Sequence, residues 1–415
     1  MYIPDYYEFG CPVNIVAGHD SLEKTADILA VPGSSQPMLL TDKGVRQAGL
    51  ADIVLDAVKD RLDIKCVEDG VPPDSDLKVV RQLAQLYNQK GCDSIIAVGG
   101  GSVLDTAKGI NMLVSEKTDD LMQFTGAGAL QRKLRPLIAV PTTAGTGSEV
   151  TIAAVIADHE KNRKMIFGSH FLLPDAALID SRMTLTLPAH IRAATAMDAM
   201  AHAVEACVML SKNPLSDAHA KEAIRRIMTH LLPVIAEPEN KEGRLSLALA
   251  AALAGIAFSN SLVGMVHALG HSVGSVCHVP HGNCMAILLS YGLEYNFHKV
   301  EERIADILFP LAGPEIYAKT PKNQRAEKSI DCIRKLNRDL FQATKGLHAT
   351  CLKDLKDRQQ HPMVPKEKLP EIAQTALGDG MVFYNPEDVD YEDWLMVLEA
   401  AWEGVPLDRT KVRKG

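Results

Sequence analysis

Short apolar runs alternate with amphipathic runs along the first half of the chain. The runs Pro37–Asp42, Ile64–Val67 and Ser94–Val98 predict strands, and the last is nearly all apolar, as in a strand covered on both faces. Between them, Gly44–Lys59 and Asp74–Lys90 place apolar residues at helical spacing. This alternation is typical of an α/β fold with a parallel sheet.

The alternation of apolar and amphipathic runs continues to about residue 180. Further strands are predicted at Pro136–Val140, Val150–Ala157 and Ala176–Asp180, with a charged turn at Lys161–Lys164. At Thr184–Pro188 the character of the sequence changes, because the strand patterning stops there.

Beyond that point the pattern is helical, and Thr186 and Pro188 suit the entry to a helix. The predicted helices are Ala189–Leu210, Asp217–Ile235, Leu245–Gly274, Glu294–Leu311, Ile330–Thr344, Glu367–Leu377 and Tyr391–Trp402, with a polar loop at Gly313–Gln324. We therefore predict an α/β domain over residues 1–187 and an all-helical domain over residues 188–415.

Composition narrows the possible functions. The formal net charge of −8 argues against a nucleic-acid or anionic-membrane surface. No apolar run reaches the length of about 18 residues that a membrane-spanning helix needs, and the N-terminus lacks the pattern of a signal peptide. The eight cysteines include no CxxC pair, which indicates free thiols in a reducing compartment. We expect a cytoplasmic protein.

Glycines follow one of the predicted strands directly. Gly99, Gly100 and Gly101 lead through Ser102 into a predicted helix at Val103–Ile110. Such a junction allows close backbone approach and offers an anion the N–H groups of a helix start, although many glycine clusters are merely tight turns. The spacing is not the GxGxxG fingerprint. Asp42, the acid that could bind a ribose, precedes the glycines instead of following them by about 20 residues, so a standard Rossmann unit is not expected.

A second loop, Pro141–Glu149, follows the next predicted strand and is rich in hydroxyl groups and glycines. Its side chains can hydrogen-bond a phosphate or a carboxamide. The alternative is a polar surface loop without a ligand.

The segment Gly264–Gly282 contains four of the chain's 14 histidines. His267 and His271 are four residues apart, so in a helix they share one face. Upstream, Asp198 and His202 show the same spacing in an Ala-rich helix, where a buried carboxylate is costly unless it is paired or bound to a metal. Two such helices could converge on one divalent ion, whereas a lone histidine is more often a packing residue.

In this order the motifs resemble the iron-containing (group III) alcohol dehydrogenases over nearly the whole chain. The motifs that carry the resemblance are Gly99–Ser102 with Asp105, Pro141–Glu149, Thr184–Pro188, Asp198 with His202, His267 with His271, and Pro280–Gly282. The resemblance implies an N-terminal dinucleotide-binding domain, an all-helical C-terminal domain and an active site in the cleft between them. A longer insert around Gly313–Lys353 departs from the family pattern.

The resemblance also implies roles for individual residues. The metal ligands would be Asp198, His202, His267 and His281, with His271 as a proton relay or, alternatively, a packing histidine. The cofactor contacts would be Asp42, Gly99, Gly100, Gly101, Ser102, Asp105, Thr142, Thr143, Thr146, Ser148, Lys164 and Leu185. Ala153 and Phe258 would line the substrate pocket, with Phe258 on the same predicted helix as His267.

The implied function is a metal-dependent, NAD(H)-linked alcohol dehydrogenase or aldehyde reductase for small primary alcohols, working as a homodimer or larger homo-oligomer. Fe²⁺ fits by resemblance, while the affinity order of divalent metals favours Zn²⁺ in purified protein. The charge of Asp42 would repel the 2′-phosphate of NADP(H). The rival functions are a lyase or synthase of the dehydroquinate synthase type and a non-catalytic metal- or nucleotide-binding protein.

Overall fold

The computed structural model describes residues 4–125, 128–158, 163–357 and 359–412. The chain divides into two compact units. One unit contains residues 11–187 and 239–255, and the other contains residues 1–10, 188–238 and 256–415. The division into separate domains at residue 187 stays a prediction.

A parallel sheet forms the centre of the first unit. The strands are β1 (Asn14–Gly18), β2 (Pro37–Leu40), β3 (Cys66–Glu68), β4 (Ser94–Gly99), β5 (Leu137–Pro141), β6 (Ala153–Asp158), β7 (Arg163–Gly168) and β8 (Ala176–Asp180). Six of them form one sheet in the order β1-β8-β5-β4-β2-β3, with every neighbouring pair parallel. The strands β6 and β7 form a separate antiparallel pair.

Helices cover both faces of this sheet. They are α1 (Thr25–Ala30), α2 (Lys43–Gln47), α3 (Leu50–Val58), α4 (Leu77–Lys90) and α5 (Gly101–Glu116). One hydrophobic core includes Ile95 of β4 with residues of α4 and α5, and the other includes Ile96 of the same strand with residues of α3. Successive side chains of β4 therefore enter opposite cores, which explains why its sequence is apolar rather than alternating. The predicted α/β fold is confirmed.

Three local predictions in this unit need correction. The helix predicted over Gly44–Lys59 is two helices, because Gly49 adopts a left-handed φ of 75° between α2 and α3. Strands β1 and β7 were not predicted. Of the predicted charged turn, residues 161–162 lie outside the described residues, and Lys164 lies in β7.

The second unit is helical in the residues that the structure describes. The remaining helices of the chain are α6 (Ala189–Val208), α7 (Pro214–Ala236), α8 (Lys241–Ser259), α9 (Met265–Cys277), α10 (His281–Asp306), α11 (Leu308–Lys319), α12 (Arg325–Ala343), α13 (Leu369–Ala376) and α14 (Tyr391–Glu403). Residues 241–255 of α8 belong to the first unit. Helix α10 packs against α6, α9 and α12, so it holds this unit together. The predicted all-helical C-terminal region is confirmed.

Two predicted elements in this region were wrong. The helix predicted over Leu245–Gly274 is two helices, α8 and α9, and Leu262 has a left-handed φ of 61° in the turn between them. The loop predicted at Gly313–Gln324 is mostly helix α11, which bends where Gly313 (φ 82°) precedes Pro314. Proline tolerates this position because the helical hydrogen bonding is already interrupted there.

Helix α8 has the length and apolar composition of a membrane span, and it is the only such helix found among the described residues. However, 67% of its apolar window is buried within the protein. This burial is typical of a core helix.

Candidate functional site

Helix α6 carries two of the predicted metal ligands. Asp198 and His202 lie one turn apart and both are buried. The neighbouring positions of α6 are mostly alanines, which are also buried and whose small side chains permit close packing of other helices. The local sequence therefore places a carboxylate and an imidazole inside a tightly packed helix layer.

The other two predicted ligands come from helix starts. His267 lies in the first turn of α9, and His281 is the first residue of α10, directly after Pro280. A Cβ atom on Gly282 would lie 2.5 Å from the carbonyl oxygen of Ala194, so only glycine lets the start of α10 approach α6 this closely. This approach brings His281 to Asp198.

Three of the four predicted ligands form one close group around Asp198, and the fourth, His202, lies beside it. Asp198 Oδ1 lies 3.3 Å from His281 Nε2, 3.8 Å from His267 Nε2 and 3.8 Å from His202 Nδ1. Ligand atoms of Asp198, His267 and His281 all lie within 4.8 Å of one another. His202 lies outside that group of mutually close atoms, and its ring stacks on His267 with the ring centres 4.4 Å apart.

The donor set fits a divalent metal. Asp198 Oδ1, His202 Nδ1 and His267 Nε2 are buried and have no hydrogen-bond partner among the described residues. Buried polar atoms in native proteins are nearly always paired, because an unpaired one costs free energy of about 1–3 kcal/mol. One carboxylate and three imidazoles match the ligand preferences of Zn²⁺ and Fe²⁺.

Burial and charge hold these side chains in the protonation states that bind metals. Burial lowers the pKa of His202 to about 3 and places that of His267 well below its usual value, so both imidazoles are neutral at pH 7. Burial alone would raise the pKa of Asp198, but the histidines around it bring its pKa well below the usual value. The cluster therefore presents one negative charge on Asp198 and neutral nitrogen donors on His202 and His267.

A carboxylate that was not predicted orients His267. Glu205, on α6, lies within hydrogen-bonding distance of His267 Nδ1, and the backbone N–H groups of Gly264 and Val266 donate to it at 3.0 Å. Burial raises the pKa of Glu205 to about 7. A sequence signal was present, since Glu205 lies three residues after His202 in an apolar helix, where an acid needs a partner.

His271 also has an unpredicted acidic partner. Its Nδ1 lies 2.8 Å from Asp379 Oδ2, and its ring centre lies 5.4 Å from that of His281. Asp379 is 108 residues away along the chain, so no periodicity could connect the two. Asp379 thus holds His271 beside the predicted metal ligands, and Nε2 of His271 takes no part in this bond.

The prediction that Phe258 shares a helix with His267 was wrong. Phe258 lies in the last turn of α8, while His267 lies on α9. The aromatic ring nevertheless lies near the cluster, because it stacks on His202 with the centres 4.2 Å apart and an angle of 13° between the planes.

In the other unit, the predicted cofactor residues gather at the carboxyl edge of the parallel sheet. Asp42 follows β2, Gly100 and Gly101 follow β4, and Thr142 follows β5. These strands are neighbours in the sheet, and Thr142 donates its backbone N–H to Gly99 O at 3.0 Å. Ligands of open α/β sheets bind outside the carboxyl ends of the strands.

The glycines of this edge make room for the second loop. A Cβ atom on Gly101 would lie 2.9 Å from the side chain of Thr146, and one on Gly100 would lie 3.2 Å from that of Thr143. Gly100 is the N-cap of α5, a helix of 16 residues. The helix start, with its unpaired N–H groups, thus lies directly against the hydroxyl-rich loop.

Asp105 and Ser148 bind each other, and a lysine that was not predicted joins them. Ser148 Oγ donates to Asp105 Oδ1 at 2.8 Å, and the Val155 N–H donates to Asp105 Oδ2 at 3.0 Å. Lys108 Nζ, also buried, donates to Ser148 Oγ at 3.1 Å and to Ala153 O at 2.7 Å. In this structure these groups fix the loop.

The remaining predicted residues lie at separate points of this unit. Lys164 Nζ lies 3.1 Å from Asp74 Oδ1, and the N–H of Asp74 donates to Ser102 Oγ at 3.2 Å. Leu185 follows a short 3-10 helix after β8, and Ala153 begins β6.

Comparisons with known proteins decide the family. A family model described as iron-containing alcohol dehydrogenase matches residues 12–181, and one for the C-terminal part of the Fe-containing alcohol dehydrogenase family matches residues 192–402. The chain belongs to the iron-containing alcohol dehydrogenase family. The family resemblance stated from the motifs is confirmed.

Individual relatives agree with this assignment. The chain is 34% identical to 1,3-propanediol dehydrogenase of Klebsiella pneumoniae, over 93% of this chain and 96% of the relative. It is 31% identical to lactaldehyde reductase of Escherichia coli K12, over 93% and 97% respectively. A solved structure of 1,3-propanediol oxidoreductase covers 96% of this chain and 100% of its own, with a TM-score of 0.88 and 32% identity.

Membership of the iron-containing alcohol dehydrogenase family makes this chain an alcohol dehydrogenase-type oxidoreductase, as the sequence predicted. The predicted cofactors, iron and NAD(H), are those of the family.

Proposed function

We propose that this family member is a metal-dependent, NAD(H)-linked enzyme that interconverts short primary alcohols and aldehydes. The observation that carries the proposal is the set of three buried, unpartnered ligand atoms on Asp198, His202 and His267. The side chain of His281 beside them is 37% exposed, which leaves one side of the cluster accessible to a small molecule.

Asp198, His202, His267 and His281 would hold the ion. A bound divalent ion supplies a Lewis acid for the oxygen of the alcohol or carbonyl group. Glu205 keeps the Nδ1 proton of His267 engaged, so Nε2 of that ring presents its lone pair to the cluster. The stacking of Phe258 on His202 excludes water from one face of that imidazole.

His271 would accept the substrate proton at Nε2 and pass it to solvent. Its Nδ1 lies against the carboxylate of Asp379, which fixes the tautomer with the proton on Nδ1 and leaves the lone pair on Nε2. Its side chain is 29% exposed, so exchange of that proton with water is open.

The identity of the metal depends on supply as well as on the ligands. Zn²⁺ binds nitrogen and oxygen donors more tightly than Fe²⁺ does in the general affinity order. We propose Fe²⁺ as the working metal from the family, and Zn²⁺ as a competitor in protein purified in air.

NAD(H) is proposed over NADP(H) because of Asp42. This acid ends the β2 segment and caps α2 through Oδ1, which accepts the Val45 N–H at 2.9 Å. The second oxygen is free of that bond and could accept a hydrogen bond from a ribose hydroxyl. A 2′-phosphate near the same carboxylate would be repelled.

A short substrate is proposed from the relatives, whose names specify 1,3-propanediol and lactaldehyde. The proposal also covers a cytoplasmic location and a homodimer or larger homo-oligomer, which the sequence predicted.

The test is a screen of short alcohols with NAD⁺ and of short aldehydes with NADH, using anaerobically purified protein loaded with Fe²⁺ or with Zn²⁺. We expect aldehyde-dependent loss of NADH absorbance that disappears when a chelator removes the metal. Full activity in metal-free protein would contradict the proposal. Turnover of a phosphorylated sugar acid without net change in NADH would instead favour the lyase or synthase reaction.

A further inference from the structure

Two cysteine thiols lie against each other in the unit that carries the sheet. Cys66 is the first residue of β3, and Cys92 lies in the turn between α4 and β4. Their sulfur atoms are 3.9 Å apart, and both residues are partly exposed. Twenty-six residues separate them in sequence, so the contact depends on the folded sheet.

A disulfide between the two residues would require only a small approach of their sulfur atoms. A disulfide has an S–S distance of about 2.05 Å, so the sulfurs would approach by about 1.9 Å from their separation of 3.9 Å. Strand β3 has three residues and lies at the edge of the sheet, next to β2. Cys92 directly follows Gly91, which ends α4 in a left-handed conformation with a φ of 67°.

We propose that Cys66 and Cys92 form a reversible disulfide when the protein meets a small-molecule disulfide. The contact between the two thiols, their partial exposure and their positions at a sheet edge and just after a helix end carry this inference. It is independent of the proposed metal and cofactor chemistry.

The reaction is a pair of thiol–disulfide exchanges. The Cys92 thiolate attacks one sulfur of the added disulfide, forms a mixed disulfide and releases the first small thiol. The Cys66 thiolate then attacks the Cys92 sulfur and releases the second small thiol. The two cysteines together lose two electrons and two protons, and the added disulfide is reduced to two thiols.

The surroundings assign the order of the two steps. Either sulfur can be the donor in the contact between the two thiols, but both Lys65 and Lys90 place positive charge near Cys92, which favours its thiolate. Burial raises the pKa of both thiols, that of Cys66 to about 12. We therefore expect the exchange to accelerate with rising pH, because the attacking species is the thiolate.

The disulfide would anchor edge strand β3 at its first residue. Beyond Cys66, β3 ends at Glu68, whose carbonyl oxygen accepts the Thr41 N–H at 2.8 Å, and Gly70 then forms a bridge with Asp42. A crosslink at the start of β3 removes conformational freedom from this strand and from the chain segment between Cys66 and Cys92. The amides of β3 should therefore exchange with solvent more slowly after oxidation.

The experiment treats reduced, full-length protein with oxidised glutathione under mildly alkaline conditions, blocks free thiols and maps peptides by mass spectrometry. We expect a linked pair of peptides containing Cys66 and Cys92, two hydrogens lighter than the free pair and reversed by dithiothreitol. Cys332→Ser, a change at another partly exposed cysteine, should form the same link. Cys66→Ser should instead accumulate glutathione on Cys92.

Two results would overturn the inference. Glutathione adducts or free thiols at both positions of the wild-type protein, without the linked peptides, would show that the sulfurs do not close. Links that scatter over other cysteines would show unspecific oxidation. Amide exchange at residues 66–70 is measured on the same samples, with Cys92→Ser as the control. An unchanged exchange rate in the linked protein would refute the expected stabilisation of β3.

Discussion

Glu205 and His267 form a buried carboxylate–imidazole pair, and the ring nitrogen of His267 that does not contact Glu205 faces Asp198. Glu205 contacts Nδ1 of His267, while Nε2 of the same ring lies 3.8 Å from Asp198 Oδ1. Two backbone N–H groups at the start of α9, those of Gly264 and Val266, donate to the same carboxylate. One acid thus fixes both the helix start and the tautomer of a proposed ligand.

Glu205→Gln is therefore expected to weaken metal binding by a factor of about 10 to 100. The glutamine amide cannot accept three hydrogen bonds as the carboxylate does, and an NH₂ group facing Nδ1 would force the proton of His267 onto Nε2. The measurement is the dissociation constant for Zn²⁺ by competition with a chelator. Glu222→Gln, which removes a surface partner of Arg225, is the control. Equal affinity in both variants would exclude a positioning role for Glu205.

The ligand set itself is tested by His267→Ala and His281→Ala. Each variant should lose bound metal and turnover while its affinity for NADH changes little, because these residues belong to the other unit from the glycine-rich edge. Metal content is measured by mass spectrometry and NADH binding by fluorescence. His361→Ala removes an exposed histidine and should change neither. Full metal content in both ligand variants would refute the assignment.

Cofactor choice is tested by Asp42→Asn. Asparagine retains an oxygen that can accept the Val45 N–H and so preserves the cap of α2, but it removes the negative charge. The ratio of kcat/KM for NADPH to that for NADH should rise about tenfold, which corresponds to about 1.4 kcal/mol. Asp56→Asn, on the exposed side of α3, should leave the ratio unchanged. A wild-type enzyme that prefers NADPH would contradict this interpretation of Asp42.

The fold was largely predictable because β4 and its neighbours are apolar on both faces and α4 has a regular apolar stripe. The errors occur where single residues override the pattern. Gly49 splits one predicted helix and Leu262 lies in the turn that separates α8 from α9, each with a left-handed backbone that periodicity does not reveal. Edge strand β1 is only partly buried, so its sequence lacks the apolar run of the central strands.

The candidate metal site was predictable where its residues share a helix. The spacing of Asp198 and His202 places both on one face of α6. The residues that were missed, Glu205, Asp379 and Lys108, act through contacts that tertiary packing creates. The segment that was predicted to be an insert also contacts this region, since Asn337 of α12 donates to Ala286 O of α10, the helix that begins at His281.

A relay role for His271 predicts a variant that binds metal but turns over slowly. His271→Gln should retain the metal and bind NADH normally, while kcat falls by a factor of about 10² to 10⁴ or somewhat less, because water can partly replace the imidazole. Asp379→Asn should show a smaller fall, since it disturbs the tautomer and leaves the ring in place. Metal loss in His271→Gln would make this residue a ligand, and an unchanged kcat would make it a packing residue.

The last prediction concerns the pH dependence of stability and the buried histidine His348. His348 is buried, its Nε2 lies 3.0 Å from Asn337 Oδ1, and burial lowers its pKa to about 4. The unfolded chain, with an ordinary histidine pKa of about 6.5, therefore binds this proton at a higher pH than the folded protein does.

The sign follows from that difference. The stability that neutral His348 contributes is present above about pH 6.5 and is lost as the pH falls through about 4, by about 3 kcal/mol in the free energy of unfolding. In His348→Gln the glutamine amide can still donate to Asn337, but it binds no proton as the pH falls. The free energy of unfolding is measured for both proteins by urea titration of metal-free protein. As the pH is lowered from 6.5 to 4, the wild type should lose more stability than the variant. His361→Gln, at an exposed position, should follow the wild-type curve, and a His348→Gln curve parallel to wild type would show that His348 already binds its proton in the folded protein.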